Sequence, residues 1–555
     1  MDPERRHEPI LRARQRRSGY GSSRRAARPS RRDAILISPG GTRSSVSAYG
    51  RPRRRGGGRA LLGVLALLLV AGAVGVFTYT RPVGAAIAAT PADAAIASCE
   101  CTATGSLALA DLEPGTYAVR VERAGFEPLD TSVALKRFSD NEFSFALKPL
   151  PQKTEVVVHP EGATVRILAG EREVAADTGK LAAEIPSGSY TVEATLKGCN
   201  AYRRDLVIDR KTSLELWLDP KGQLVHSLGM VTTSGAPKAV AITPDGREVW
   251  ATILNGPPSI EIFDPVTLRR TGTVDIGEHG AVEIEFSADG TRAYASQMET
   301  ARVFEIDTKT RKVLRSMDTE SAWTKVVELS PNGKTAYAAN WSGHDVSEID
   351  ISSGKLRRRI RTANTPRGLY ATEDGAALYV AGFGTGDLDR IDLASGDSKT
   401  VFDGGGALRH IVADADKSIL YISDMSKDVV WKHDMLTGKT TKFLETDEKP
   451  NTIDLSPDGA VLFVSCRGEN NSKSYYIPGP EWGTILLFDT ETGKPLDAVV
   501  GGNQCTALDV SGDGKLLVFS DFLDNRLRFY QVPDIGTLRA GDGGRFKQHF
   551  ADLQK

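Results

Sequence analysis

Cysteine and histidine are scarce in this chain of 555 residues. The five cysteines and eight histidines include no Cys-x-x-Cys and no His-x-His pair, which argues against a disulfide-dense scaffold and against a structural zinc site. The sequence also lacks a Gly-x-Ser-x-Gly nucleophile elbow, a His-Glu-x-x-His motif and a glycine-rich phosphate loop followed by lysine. We therefore expect no cofactor and no bound metal, and we assign no catalytic residue.

Lysine is absent from residues 1–59, where 17 arginines and four acidic residues give a local net charge of +13. The remaining residues have a net charge of −14. A polar segment without apolar periodicity predicts a disordered tail, and clustered arginine is typical of a cytoplasmic segment lying against anionic lipid. A nucleic-acid-binding arm is the alternative, but only Tyr20 and Tyr49 could stack on bases, so we expect no nucleic acid partner.

Charged residues are also absent from residues 60–79, which are long enough to cross the hydrocarbon core of a bilayer as a helix. Arginines crowd the N-terminal side of this segment, so the positive-inside rule predicts a cytoplasmic N-terminus. We expect a single-pass protein of the inner (cytoplasmic) membrane whose C-terminal domains are periplasmic or otherwise extracytoplasmic. A cleaved signal peptide is the alternative, although residues 1–59 are far longer than the usual charged leader.

A tight turn recurs seven times in the last 320 or so residues, at intervals of 44, 43, 42, 42, 42 and 55 residues. A repeat of this length, with an apolar strand on each side of the turn, predicts a β-propeller of seven blades. The turns begin at Thr243, Ser287, Ser330, Thr372, Asp414, Ser456 and Ser511. A second series of acids ends the third strand of most blades, and we interpret it as structural because aspartate bonds to the backbone of its own turn. The members of this series are Asp264, Asp307, Asp350, Asp392, Asp434 and Asp489.

The repeats resemble the YVTN-type, YncE-like propellers, and the best local match is the segment 336–350. That family includes envelope binding proteins, lactonase-like enzymes and domains fused to redox enzymes, so the resemblance implies a fold and leaves the function open. The seventh blade has no clear fourth strand after Tyr530. We expect the segment 224–228, which precedes the first blade, to supply that strand and close the ring.

Two similar β-rich segments precede the propeller. The second contains Pro160-Glu161-Gly162-Ala163 and resembles the PEGA domain family, while the first keeps only a degenerate version at residues 91–94. The resemblance implies small β-sandwiches that serve as a cell-envelope spacer or recognition module without catalysis. The predicted fold class is therefore mainly β with a single N-terminal transmembrane helix, two small PEGA-like sandwiches and a seven-bladed propeller. The predicted order is a tail (1–59), a helix (60–79), a spacer (80–94), a degenerate PEGA-like domain (95–150), a PEGA-like domain (153–220), the propeller (221–533) and a C-terminal tail (534–555).

The register of the blades places four cations at one position, five residues before the turn, where the first strand enters one mouth of the central channel. These are Lys238, Lys325, Arg367 and Arg409. The neighbouring candidates are Asn340, Trp341, Asn451 and Arg467. A concentration of one charge attracts ligands of the opposite sign, so we expect an anionic ligand or an acidic segment of a protein partner. In the alternative interpretation the cations are surface charges that pair with Asp424 and Asp521.

An insertion of about twelve residues lengthens the last repeat and includes Tyr475, Tyr476 and Trp482. Aromatic residues of this kind are favoured at binding surfaces, so we expect a recognition loop; a lid over the channel is the alternative. Cys466 and Cys505 lie at this face on neighbouring blades and could form a disulfide.

The function that these features favour is a membrane-anchored extracytoplasmic binding or scaffold protein of the cell envelope. Its expected partners are the inner membrane, through one helix, and an anionic ligand or an envelope protein. The alternative is a lactonase-like propeller hydrolase with a divalent metal, for which the available acids and amides are Asn340, Asp424, Asn451 and Asp521.

Overall fold

The computed structural model describes residues 58–362 and 364–555 and shows a mainly β protein. The predicted tail, apart from its last two residues, lies outside the described residues. Two compact units divide the described chain, one ending at Pro151 and the other beginning at Gln152.

The first unit begins with a helix, α1 (Gly58–Thr80). Large apolar side chains of α1 are exposed, among them Leu65, Leu67, Leu68 and Leu69. In the part of the chain that the structure describes, no helix meets both the length and the apolarity of a membrane span.

Seven strands complete the first unit. They are β1 (Val83–Thr90), β2 (Ala95–Ser98), β3 (Cys101–Thr104), β4 (Ser106–Leu112), β5 (Gly115–Glu122), β6 (Leu129–Leu135) and β7 (Glu142–Ala146). They form two sheets, ordered β4-β1-β7 and β3-β2-β5-β6, around a core that includes Ile87, Ile96 and Val121. Residues 83–90 were expected in a spacer, but they form β1, because its alternate residues Ala85, Ile87 and Ala89 are buried.

The second unit opens with strands that repeat this arrangement. They are β8 (Pro151–His159), β9 (Thr164–Ala169), β10 (Arg172–Thr178), β11 (Lys180–Pro186), β12 (Gly188–Thr195), β13 (Tyr202–Ile208) and β14 (Thr212–Trp217). The pairing orders β11-β8-β14 and β10-β9-β12-β13 match those of the first unit strand for strand. The similarity between the two segments in sequence is therefore also a similarity in topology.

Six four-stranded antiparallel sheets follow, in agreement with the predicted repeat. Their strands are β16 (Ala236–Ile242), β17 (Val249–Asn255), β18 (Ser259–Asp264) and β19 (Arg269–Asp275); β20 (Glu283–Phe286), β21 (Arg292–Gln297), β22 (Arg302–Asp307) and β23 (Lys312–Asp318); β24 (Thr324–Leu329), β25 (Thr335–Asn340), β26 (Asp345–Asp350) and β27 (Lys355–Arg361); β28 (Pro366–Ala371), β29 (Ala377–Gly382), β30 (Asp387–Asp392) and β31 (Ser398–Asp403); β32 (Leu408–Ala413), β33 (Ile419–Asp424), β34 (Val429–Asp434) and β35 (Thr440–Glu445); and β36 (Pro450–Leu455), β37 (Val461–Cys466), β38 (Thr484–Asp489) and β39 (Pro495–Val500).

The two ends of the repeat region pair in a seventh propeller-like sheet. Strand β15 (His226–Thr232) is hydrogen-bonded antiparallel to β42 (Arg526–Gln531), which continues to β41 (Leu516–Asp521) and β40 (Cys505–Val510). This confirms that chain preceding the first blade supplies the missing strand, although the strand begins at residue 226. The first strands of successive sheets are neighbours, and β40 also lies beside β16, so the ring is closed.

The seventh sheet also continues into the second small module. Its order is β11-β8-β14-β15-β42-β41-β40, and β14 meets β15 at the pair Glu215 and Met230. Because the module and the blade share one hydrogen-bonded sheet, the module is joined to the ring by more than its covalent link.

The recurring acids at the ends of third strands are structural, as predicted. Asp350 accepts the backbone amide of Ser353 at 2.8 Å, and Asp307 accepts that of Thr310 at 2.8 Å. Hydrogen bonds of this kind hold the pKa of Asp350 well below its usual range.

Neighbouring blades are joined by an acid near the end of the first strand, which sequence analysis did not identify. Four such carboxylates accept a hydrogen bond from a backbone amide of the next blade. These bonds stabilise the ring, because a buried backbone amide without an acceptor costs free energy. The pairs are Glu285 with Leu329 at 3.0 Å, Glu328 with Ala371 at 3.0 Å, Asp454 with Val510 at 3.0 Å, and Asp509 with Ile242 at 2.6 Å. The last pair closes the ring, because it joins the seventh blade to the first.

We predict that Asp509→Ala destabilises the ring by about 1–3 kcal/mol, because the buried amide of Ile242 loses its acceptor. Asp509→Asn keeps an acceptor oxygen and should cost less. Urea unfolding of both variants beside the wild type measures the difference. An alanine variant with the wild-type unfolding midpoint would contradict the role of this bond.

Candidate functional site

Five cations converge in the channel at the centre of the ring, and we call them the basic cage. They are Lys238 on β16, Lys325 on β24, Arg367 on β28, Arg409 on β32 and Arg467 directly after β37. All five are at most 1% exposed, so the charges are enclosed by protein instead of lying at an open mouth as the sequence predicted. Burial and repulsion from the other four cations together lower the pKa of Lys238 well below its ordinary value.

Aromatic rings line the cage and support its cations. Lys238 Nζ lies 3.6 Å from the ring centroid of Phe522, and Lys325 Nζ lies 4.1 Å from that of Trp341. The Arg367 guanidinium lies 3.9 Å from the Trp341 ring. Each ring directly follows the second strand of its blade, and cations on aromatic faces are held by the ring quadrupole.

The two acids considered as partners of these cations are engaged elsewhere. Asp424 accepts the Ala407 amide at 2.9 Å and the Trp431 indole N–H at 3.0 Å. Asp521 pairs with Arg528 at 2.6 Å and accepts the Gly502 amide at 2.8 Å. Asp424 and Asp521 thus each bind groups outside the cage.

The two predicted asparagines differ in their surroundings. Asn340 belongs to a buried network, since its oxygen accepts from Thr324 at 2.7 Å and its amide donates to Asp345 at 2.7 Å. Asn451 accepts a hydrogen bond from Arg409 Nε and thus contributes to the cage. Among the described residues, neither Asn451 Nδ2 nor Lys238 Nζ has a hydrogen-bond partner, so two buried donors of the cage are unsatisfied.

Three members of the set considered for a hydrolytic metal have hydrogen-bond partners in their own surroundings. Asn340, Asp424 and Asp521 are each bonded to their own neighbours, as described above. Within residues 58–362 and 364–555 there is no group of three or more histidine, cysteine or acidic side chains able to hold a metal ion.

The long insertion places Tyr475 against the cage. Tyr475 is 4% exposed and packs in one apolar cluster with Leu254, Met298 and Phe522, and the Arg467 guanidinium lies 5.4 Å from its ring centroid. The loop thus covers the channel, as the lid interpretation expected. Tyr476 lies against Tyr475, with 4.1 Å between ring centroids and the two rings tilted by 35°, and is about one-third exposed.

Trp482 does not contact the cage cations and instead meets the C-terminal segment. Its amide donates to Leu553 O at 2.9 Å, and Lys555 Nζ lies 4.6 Å from its ring centroid. Sequence analysis treated residues 534–555 as a tail, but they contain α2 (Ile535–Ala540) and a short 3₁₀ helix (His549–Asp552). The N-terminal cap of α2, in which Asp534 accepts the Thr537 amide, was a readable signal for this helix.

A buried hydrogen bond anchors the same segment to the sixth blade. His549 Nε2 lies 2.9 Å from Asp447 Oδ2, and Thr484 donates to the same carboxylate at 2.6 Å. The C-terminal segment therefore braces the outer part of the loop that covers the channel.

The predicted disulfide between Cys466 and Cys505 is not formed, and both cysteines are buried free thiols. The thiol of Cys505 faces Asp521 Oδ1 at 3.4 Å, whereas that of Cys466 lies beside Thr484. Burial raises the pKa of both thiols.

The comparisons with known proteins show similarity over part of the chain. No family model matches the sequence. A stretch of 100 residues, 18% of this chain, is 44% identical to Antigen Lp49 of Leptospira interrogans serogroup Icterohaemorrhagiae serovar copenhageni and covers 22% of that protein. The match thus spans about a fifth of the length of the curated relative. Among solved structures, hydrazine synthase of Kuenenia stuttgartiensis aligns with a TM-score of 0.47 and 19% identity, over 54% of this chain and 97% of that one.

Proposed function

We propose that this protein is a seven-bladed propeller of the YVTN, YncE-like type, preceded by PEGA-like modules, and that it binds an anionic ligand in the basic cage. One observation carries the proposal. Lys238 Nζ is fully buried among four further cations, has no hydrogen-bond partner among the described residues, and rests on an aromatic face. Buried charge is costly unless it is compensated, and a bound anion supplies the compensation.

A small ligand fits the cage better than a protein partner does. The five cations are enclosed, and Tyr475 packs over them. A protein surface would reach them only after the loop had opened, whereas a molecule of a few atoms needs only a transient gap. An envelope protein that docks on the exposed part of the loop, such as Tyr476, is the second candidate partner.

Replacing two cage arginines should abolish anion binding. Arg367→Met/Arg409→Met keeps much of the packing against Trp341 and Phe383 but removes two charges, and we expect binding to weaken at least ~100-fold. Isothermal titration of phosphate and of small carboxylates into the full chain measures this. The control is Arg247→Met/Arg302→Met, which changes two exposed arginines. Equal affinity in the cage variant and the control would refute binding in the cage.

The buried amine of Lys238 should lower the free energy of unfolding of the protein when no anion is bound. Lys238→Met keeps the apolar stem on Phe522 and removes the buried amine, so we expect the variant to be more stable near neutral pH by about 1–3 kcal/mol. Because the folded pKa of Lys238 is lowered, the unfolded chain binds more protons between that pKa and the ordinary value of 10.5. Wild-type stability should therefore rise with pH across that window, and the advantage of the variant should shrink.

Urea unfolding at several pH values measures the effect of Lys238→Met. The matched control is Lys309→Met, which changes an exposed lysine and should leave stability almost unchanged. An anion that binds the cage should stabilise the wild type more than the cage variant. A Lys238→Met protein that is less stable than the wild type at every pH would contradict the account.

We also propose that residues 60–79 anchor the protein in the inner membrane, with the arginine-rich tail in the cytoplasm and the β-domains outside. The proposal is supported by the uncharged sequence, by the arginine excess on its N-terminal side and by the exposed leucines of α1.

Protease added to intact spheroplasts tests this topology. We expect the propeller region to be exposed to protease or recovered as a resistant fragment released from the cell, because it lies outside the membrane. The tail should be cleaved only after lysis. Protection of the C-terminal region in intact spheroplasts would overturn the predicted orientation.

A further inference from the structure

The cage has two chemically different sides. Blades three to six supply Lys325, Arg367, Arg409 and Arg467, whereas the second blade places Val282 at the position that is cationic in its neighbours. Val282 belongs to a buried apolar cluster, which we call the apolar wall. Its other members are Ala236, Leu254, Met298, Tyr475 and Phe522.

Lys238 lies at the seam between the two sides. Its Nζ is repelled by the four other cations and lies 3.6 Å from the ring centroid of Phe522, a member of the apolar wall. An acidic group bound by Lys238 would therefore have cations on one side and apolar surface on the other.

Tyr475 is the one member of the apolar wall that comes from the long loop between β37 and β38, and it is tied to the cations. Arg467 donates to Asn470 of the loop at 3.0 Å and to Gln504 Oε1 at 3.1 Å. Gln504 in turn donates to the carbonyl oxygen of Tyr475. The loop that carries Tyr475 is thus positioned through a cation of the cage.

We propose that the ligand is an amphiphilic small anion, with a carboxylate or phosphate group held by Lys238 and the neighbouring cations, and an aromatic or other apolar group packed against the apolar wall under Tyr475. The inference rests on the proposed function and narrows its ligand class. An apolar group attached to the anion would contact the apolar wall, whereas a bare inorganic anion would contact only the cations. Apolar surface removed from water contributes about 25 cal/mol per Å², so a matching apolar group adds affinity.

The test compares pairs of probes that share a head group. Inorganic phosphate is compared with phenyl phosphate, and acetate with benzoate, by titration into the full-length chain in a nonionic detergent. We expect the aromatic member of at least one pair to bind about tenfold or more tightly than its plain counterpart, the range typical of one apolar group in a pocket. The pair that binds tells whether phosphate or carboxylate is the preferred head group.

Tyr475→Ala should weaken binding of the aromatic anion more than binding of the plain anion, and so should remove most of this preference. Tyr475→Phe keeps the aromatic side chain and should bind both anions as the wild type does. This control shows whether an effect of Tyr475→Ala comes from the missing aromatic surface. Tyr476→Ala is the matched control on the adjacent, more exposed tyrosine. Thermal unfolding of each variant in the absence of ligand reports whether the fold is intact.

Three results would overturn the inference. Equal affinity of the plain and aromatic anions for the wild type would contradict the amphiphilic class while leaving anion binding in place. Equal weakening of both by Tyr475→Ala would mean that Tyr475 only closes the cage. If no anion binds the wild type, the proposed function fails, and this inference fails with it.

Discussion

Ring closure is the constraint on which the rest of the structure depends. Strand β15 pairs with β42, and the Asp509 carboxylate accepts the Ile242 amide across the same junction. These contacts join the last blade to the first, so that the ring of sheets is closed. Because the ring is closed, residues at one register position of successive first strands lie around one axis, and this brings the cage cations together.

The same geometry holds like charges close together in the cage. The cations cannot separate, because each is fixed on a strand or a strand end and rests on an aromatic or sulfur-containing side chain, as Lys325 does on Trp341 and Arg409 does on Met425. The nearby acids are committed to Arg528 and to backbone amides. Lys238 Nζ, a buried donor without a hydrogen-bond partner among the described residues, is where the proposed anion would compensate this charge.

Much of the fold could be predicted from the sequence, because the turns recur at an almost constant interval and strand alternation fixes which residues face inward. The same register placed Lys238, Lys325, Arg367 and Arg409 at one position, and the structure brings them together. The position of Tyr475 against the cage could not be predicted, since its loop is braced by a contact between Trp482 and Leu553, which are distant in sequence. The disulfide was not predicted correctly, because the repeat places Cys466 and Cys505 on neighbouring blades but does not determine the orientation of their side chains.

Anomalous diffraction from crystals soaked in selenate would test the central claim most directly, because it locates a bound anion whatever the natural ligand is. The account predicts a selenium peak inside the ring, within hydrogen-bond distance of Lys238 Nζ and of at least one cage arginine. Selenium peaks confined to surface lysines and arginines, with the cage empty at saturating selenate, would contradict it.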